Sequence, residues 1–264
     1  MKENIRVGII GFGNMGAIFA EALNKQKNQV YVYDKDKKKT SGIRKFKVIE
    51  NSNELINKVD VVILAIKPQD IKLFLTTTKD VLSQSLPLLI TIAAGVSTEY
   101  FQKHIKGLKV IRCMPNLAAK VGQSLSFICR GKFAKRQDST LAAGLLSSVG
   151  QVIEIKEADI DKVTSITGSG PGYIFYFMDC LYRSALKLGF SKKIAKVMVT
   201  QTFFGTASLV RSQSDDFKVW VDKVASSGGT TEAGIEVWKK NDLPGLVDKA
   251  VNAAFSRAKR LRVG

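Results

Sequence analysis

The segment Ser226-Ser227-Gly228-Gly229-Thr230-Thr231-Glu232-Ala233-Gly234 sets small residues and a glycine pair directly ahead of a helical pattern that carries Ile235 and Trp238. Glycines before a helix leave backbone N–H groups free to face an anion, and the helix dipole adds to the attraction. The hydroxyls of Thr230 and Thr231 place further donors and acceptors at the same point. That chemistry suits a small carboxylate. The same residues also suit an ordinary capped loop, because Ser and Thr favour helix N-termini whatever their task.

Far upstream, Gly11-Phe12-Gly13-Asn14-Met15-Gly16 has the spacing G-x-G-x-x-G. It follows an apolar run, Ile5 to Ile10, fit for a buried parallel strand, and it enters a helical pattern with Ala17, Ala20 and Leu23 on one face. In that setting the first glycine permits a tight turn, the second lets the backbone approach a pyrophosphate, and the third lets helix and strand pack closely. The expected ligand is a dinucleotide touched from Ile10, Gly11, Phe12, Gly13, Asn14 and Met15, with its pyrophosphate at Gly13-Asn14-Met15. A second strand, Gln29 to Tyr33, ends at Asp34, an acid placed to bond a ribose 2′-hydroxyl and so to favour NAD. Lys35, Lys37, Lys38 and Lys39 follow, either as a seat for a 2′-phosphate or as a solvated turn. NADPH and NADH both remain open at this point.

The elements that must position these groups alternate. Val61 to Ile66, Leu88 to Ala93, Lys109 to Arg112, Ser124 to Cys129 and Val152 to Ile155 read as strands, with helical patterns between them. The third strand ends at Lys67-Pro68-Gln69, where Pro68 forces a turn at the end at which open parallel sheets bind ligands. The pattern predicts an α/β class: a doubly wound Rossmann-type domain over residues 1–156. After Glu157 the period changes, and residues 157–264 read as all-helical. A helix from Tyr173 to Leu188 is apolar on every side at Tyr173-Ile174-Phe175-Tyr176-Phe177-Met178. Such a helix must be covered all round, by a second subunit or by its own bundle. Gly189 ends it, Ser191 can cap the next, and a final helix runs from about Leu246 to Leu261.

Net charge is +18, but the 41 Lys and Arg are spread along the whole chain with no aromatic-interleaved basic motif, so no nucleic-acid partner is expected. No apolar run is long enough to span a membrane, and the chain enters a strand at once, without the pattern of a leader. Three cysteines, Cys113, Cys129 and Cys180, lie far apart, with neither a disulfide framework nor metal-ligand spacing, so no metal and a reducing cytoplasm are expected. The single histidine, His104, reads as a surface residue, and Lys67 is the better-placed titratable group.

Taken in order, several motifs resemble the pyrroline-5-carboxylate reductase family across nearly the whole chain. They are Gly11 to Gly16, Ala65-Ile66-Lys67-Pro68-Gln69, Ala93-Ala94-Gly95-Val96, Arg112-Cys113-Met114-Pro115-Asn116, Thr167 to Tyr173, Lys187-Leu188-Gly189 and Asp222 to Thr231. The resemblance implies reduction of 1-pyrroline-5-carboxylate to L-proline by NAD(P)H, the last step of proline synthesis. It also implies an intertwined homodimer that can build larger rings. It places the substrate carboxylate on Ser226, Gly229, Thr230 and Thr231, the hydroxyl near the imine nitrogen on Thr231, and a carboxylate bordering the substrate at Glu157. Adenosine-ribose contacts fall on Asp34 and near Ser52, and further cofactor contacts on Ala65, Ile66, Lys67, Pro68, Ala93, Ala94 and Asn116. Of these, Lys67, Ala94 and Asn116 would line the nicotinamide side. The chain departs from the family pattern at Leu117-Ala118, at Gly172, and at Ser227, which replaces a proline. Two other readings are a β-hydroxyacid dehydrogenase, whose catalytic lysine has no counterpart in Tyr173 to Met178, and a non-catalytic nucleotide-binding relative.

Overall fold

A computed structural model describes residues 4–262, in two compact units. The first comprises the residues up to Ser169 together with those from Ala254 onward; the second is Gly170–Ala253. The expected boundary after residue 156 marks the end of the strands, whereas the packing draws its line elsewhere. Ile160 is fully buried in the first unit, and Asp161 is only 2% exposed.

The first unit is built on an eight-stranded sheet in the order β3-β2-β1-β4-β5-β6-β7-β8. The strands are β1 Arg6–Ile10, β2 Gln29–Tyr33, β3 Lys47–Val48, β4 Val61–Leu64, β5 Leu88–Thr91, β6 Val110–Met114, β7 Ser124–Arg130 and β8 Gly150–Glu154. All neighbours are parallel except β6 and β7, which a short connection can join because antiparallel strands need no crossover. The two-residue edge strand β3 was not foreseen, since Lys47 and Val48 are both exposed and carry no apolar run. Helices α1 Asn14–Lys25, α2 Ser52–Lys58, α3 Ile71–Ser85, α4 Thr98–His104, α5 Arg136–Leu146 and α6 Ile160–Val163 complete this unit with the end of the last helix.

The apolar runs of the sequence explain this sheet. Every residue of β4 and β5 is buried, and side chains alternate between the two faces. Val61 and Ile63 join one core with Val7, Ile9, Phe19 and Leu23; Val62 and Leu64 join the other with Leu55, Phe74, Leu75 and Phe101. Strand β1 lies between β2 and β4, so the order reverses beside it, and a ligand crevice opens at such a reversal. The register sets Ile10 opposite both Tyr33 and Leu64, which brings Gly11, Asp34 and Ala65 level at the strand ends.

The second unit consists of α7 Gly170–Lys187, α8 Lys192–Ser212, α9 Phe217–Val224, α10 Thr230–Lys240 and the first part of α11 Leu243–Arg260. Phe177 packs edge-on against Phe203 and Trp238, with ring centroids 6.1 and 5.7 Å apart. Within this unit only Ala185, Ala195 and Val199 are buried hydrophobics among the described residues. Helix α7 is not central to a bundle of its own: Phe175 is 59% and Tyr176 74% exposed.

Candidate functional site

In the first unit, β1 runs into Gly11, whose φ of +96° is open to glycine at little cost. The Gly11 N–H donates to the Tyr33 carbonyl and the Ala65 N–H to the Ile10 carbonyl, both at 2.8 Å, which locks three strand ends together. A Cβ at Gly16 would overlap the Gly11 carbonyl oxygen, so α1 can lie against the strand only with glycine there. A Cβ at Gly13 would meet nothing, and no side chain caps α1. The first-turn N–H groups of α1 therefore face open space, where an anionic diphosphate gains from them.

That space is part of a cavity of about 550 Å³. Of the residues expected to touch a dinucleotide, Ile10, Gly11, Gly13, Asp34, Ser52, Ala65, Ile66 and Lys67 line it. Phe12, Asn14, Met15, Pro68, Ala93, Ala94 and Asn116 do not. Phe12 instead packs edge-on against Phe46, centroids 6.0 Å apart, and Pro68 opens the tight turn Pro68–Asp70 that carries the wall. The fit to a dinucleotide is good: Gly11, Gly13 and an acid at the neighbouring strand end line one cavity, and α1 with its orphan donors starts directly after Gly13. Sequence reasoning missed the α3 wall, Leu73, Phe74 and Thr77. The residues themselves carried no signal for it: that Leu73 is 62% exposed emerges only in the folded chain.

Asp34 is 7% exposed and held by backbone donors. The Phe12 N–H donates to its Oδ2 at 2.7 Å and the Asp36 N–H to its Oδ1 at 2.8 Å. Three of the four neighbouring lysines form ion pairs. Lys39 Nζ lies 3.3 Å from Asp34, Lys35 Nζ 2.7 Å from Asp70, and Lys37 Nζ 2.9 Å from Glu50.

Asn116 acts through its amide. Its Nδ2 donates to the Thr167 carbonyl at 3.2 Å, and its Oδ1 accepts from the Ala118 N–H at 3.1 Å. Thr167 belongs to a π-helical turn, Thr164–Gly168, a conformation enriched at functional sites. Ala93 and Ala94 lead into Gly95, where φ is +75° and a Cβ would overlap the Leu261 carbonyl.

Glu157 has partners other than the substrate border implied for it. Its Oε1 accepts from the Thr98 N–H at 2.8 Å and its Oε2 from the Thr98 hydroxyl at 2.6 Å. Arg112, 5% exposed, lies between Glu157 at 3.5 Å and Asp161 at 3.3 Å, and Arg262 Nε reaches the other Asp161 oxygen at 2.6 Å. Two guanidinium groups thus balance two carboxylates. Buried charge persists only when so paired and hydrogen-bonded. The network brackets the Ala93-Ala94-Gly95 turn, by Thr98 on one side and by the chain end at Leu261 on the other.

In the second unit, Gly228 (φ +72°) and Gly229 turn the chain from α9 into α10. One expected donor is not available here: the Gly229 N–H is engaged with the Ser226 carbonyl at 2.9 Å, because it closes the turn itself. The Gly228 N–H is held by Glu232 Oε2 at 2.7 Å. The N–H groups of Thr230, Thr231 and Glu232 begin α10 and have no intrahelical acceptor, so these three are the backbone donors left for a carboxylate, the first two on the residues expected to hold it. Side-chain capping is absent, which keeps the anion-binding alternative and removes the plain Ser- or Thr-capped loop. A Cβ at Gly229 would lie 2.8 Å from the Ser226 carbonyl oxygen, a backbone atom, so the turn favours glycine there.

The remaining reactive side chains stand apart. Burial, with a smaller push from Glu157, raises the Cys129 thiol to about 12, and burial raises Cys113 further still. Neither is a thiolate nucleophile at neutral pH. His104 is exposed, its Nδ1 2.8 Å from the Tyr100 carbonyl.

Comparison with known proteins agrees with this geometry. The profile described as pyrroline-5-carboxylate reductase dimerisation matches residues 157–261, and that described as NADP oxidoreductase coenzyme F420-dependent matches residues 6–95. The chain is 32% identical over 265 residues to the pyrroline-5-carboxylate reductase of Synechocystis, covering 98% of each, and 32% identical to that of Aquifex aeolicus, covering 97% of each. The structure of a pyrroline-5-carboxylate reductase from Coxiella burnetii superposes with a TM-score of 0.91 at 30% identity, covering 99% of this chain and 100% of that one. The Plasmodium falciparum pyrroline carboxylate reductase with NADP bound gives 0.90 at 28% identity, covering 99% of each. Cradle, turn and full-length similarity coincide: the chain belongs to the pyrroline-5-carboxylate reductase family.

Proposed function

We propose that this chain reduces 1-pyrroline-5-carboxylate to L-proline with NADH or NADPH. The observation that carries the reading is full-length family similarity in a chain that keeps both a glycine cradle at the β1 end and a glycine turn into α10. When bound, the nicotinamide supplies a hydride to the imine carbon. The first-turn N–H groups at Asn14 and Met15 hold the pyrophosphate, and Asp34 accepts from the ribose. Thr230 and Thr231 N–H groups hold the substrate carboxylate, and Thr231 Oγ orients the ring nitrogen. Ser226 shapes that turn. Glu157 borders the substrate and Asn116 the nicotinamide, and the same side chains hold the loops after β5 and β6. Such a reaction draws on placement, which supplies roughly 7–11 kcal/mol of barrier lowering at most, and asks for no strong protein base.

Self-association follows the same reading. Ile174, Phe175 and Tyr176 on α7 and Ile194, Val197 and Met198 on α8 are large apolar residues left exposed, the kind of surface that marks an interaction site when it is contiguous. A second copy of the chain is the occupant that the matched dimerisation segment suggests. Three unpaired cysteines fit a cytoplasmic setting, and no helix among the described residues is long and apolar enough to cross a membrane.

The test is NADH and NADPH oxidation at saturating pyrroline-5-carboxylate. Imine-dependent oxidation is expected. Nucleotide binding without it would favour the non-catalytic relative.

A further inference from the structure

Five charged side chains line the dinucleotide cavity, Asp34, Lys35, Lys39, Lys67 and Asp70; four of them form ion pairs. They are paired two by two, Lys39 with Asp34 and Lys35 with Asp70. Asp34 and Lys35 stand at the end of β2, but Asp70 comes from the turn between β4 and α3. Its position there is fixed, because Pro68 sets the turn and the Asp70 N–H donates to the Lys67 carbonyl at 2.9 Å. Asp70 also stands at the N-cap of the fifteen-residue α3, where an aspartate normally accepts from the helix's own N–H groups. It makes no such bond. Its Oδ1 reaches Lys35 at 2.7 Å, and the Asp70 side chain is three-quarters buried. The carboxylate thus leaves a local stabilising role to hold a cation across the cavity.

We propose that Asp70 is a specificity-determining residue of the dinucleotide site: it ties Lys35 away from the ribose 2′-position and biases the site toward NADH. The inference rests on the dinucleotide reading of this cavity. NADH offers a 2′-hydroxyl, which Asp34 accepts. NADPH brings a phosphate of roughly −1.5 to −2 charge. With Lys39 held by Asp34 and Lys35 by Asp70, neither lysine beside the end of β2 is free to meet it; Lys67, the remaining lysine of the lining, follows β4 instead. Lys35 is 68% exposed on a flexible stem, so once released it can turn to a phosphate one residue from Asp34.

The experiment is calorimetric titration of the purified full chain with NADH and with NADPH, at low and high salt, for the wild type, Asp70→Asn, and Asp70→Asn combined with Lys35→Gln. Asp70→Asn is expected to shift the NADPH-to-NADH affinity ratio about tenfold toward NADPH, the equivalent of about 1.4 kcal/mol and within reach of one charge-assisted contact. The shift should shrink at high salt and vanish in the double variant. NADH affinity within about threefold of wild type would show that the cavity is intact, since that corresponds to less than about 0.7 kcal/mol. An unchanged ratio in Asp70→Asn, or a shift that survives Lys35→Gln, would overturn the proposal while leaving the dinucleotide site standing. Failure of the wild type to bind either nucleotide would overturn both.

Discussion

Strands β4 and β5 bury every residue they contain, and β1 buries all but Arg6. Helices α7 to α10 bury only Ala185, Ala195 and Val199 among their described residues. The two units have comparable apolar sequence, yet one closes its core within a single chain and the other leaves phenylalanines in water. The contrast extends to their sites. The dinucleotide cradle is completed by contacts inside the first unit: Gly11 to Tyr33, Phe12 to Asp34, Ala65 to Ile10. The turn before α10 is closed only by its own neighbours, Ser226 and Glu232. The first unit thus holds its glycine cradle rigidly, whereas the second carries its glycine turn on helices with exposed apolar faces.

The sharpest way to break the contrast is to damage the rigid unit. Gly16→Ala forces a Cβ into the Gly11 carbonyl, a backbone atom with nowhere to move. It should cost about 3 kcal/mol of stability, read by denaturant unfolding, and remove nucleotide binding. In the other unit, Thr231→Ala should lower kcat/KM about a hundredfold, the scale of one lost donor at a reacting centre, with NAD(P)H affinity unchanged in titration. A matching loss of nucleotide affinity would show that the two sites are not separable in this way. Phe175→Asp places a charge on the exposed face of α7. It should weaken self-association at least about tenfold, read by light scattering across a dilution series, while leaving the first unit's nucleotide affinity intact.

The smallest effect concerns the buried thiols. Cys113 and Cys129 are raised by burial, so the unfolded chain loses these protons first as pH rises. Their contribution to stability is fully present below the ordinary thiol value of 9.0 and is lost as pH climbs toward about 12. At pH about 8, thiol reagents should leave both unmodified until the first unit unfolds.

Much of this was legible in the residues. Strand runs such as Val61 to Leu64 announced themselves because a strand buried on both faces has to be continuously apolar. The glycine spacing from Gly11 to Gly16 announced the cradle because only glycine tolerates its turn and its close packing. Edge strand β3 was not legible, since two exposed residues are paired by main-chain groups that carry no side-chain signal. Nor was the engagement of the Gly229 N–H, because a turn's internal hydrogen bond depends on backbone path rather than residue type.

By itself the sequence determined the alternation of strand and helix, the cradle, the acid at the end of β2 and the family, all of which follow from periodicity and local spacing. The tertiary structure decided what those groups touch. It turned Glu157 into the partner of Thr98 and Arg112, and Asn116 into the clasp of Thr167. It also set Asp70 across the cavity from Lys35, 35 residues away along the chain. Such pairings join side chains far apart in sequence, and only the packing of the sheet brings them within hydrogen-bond distance.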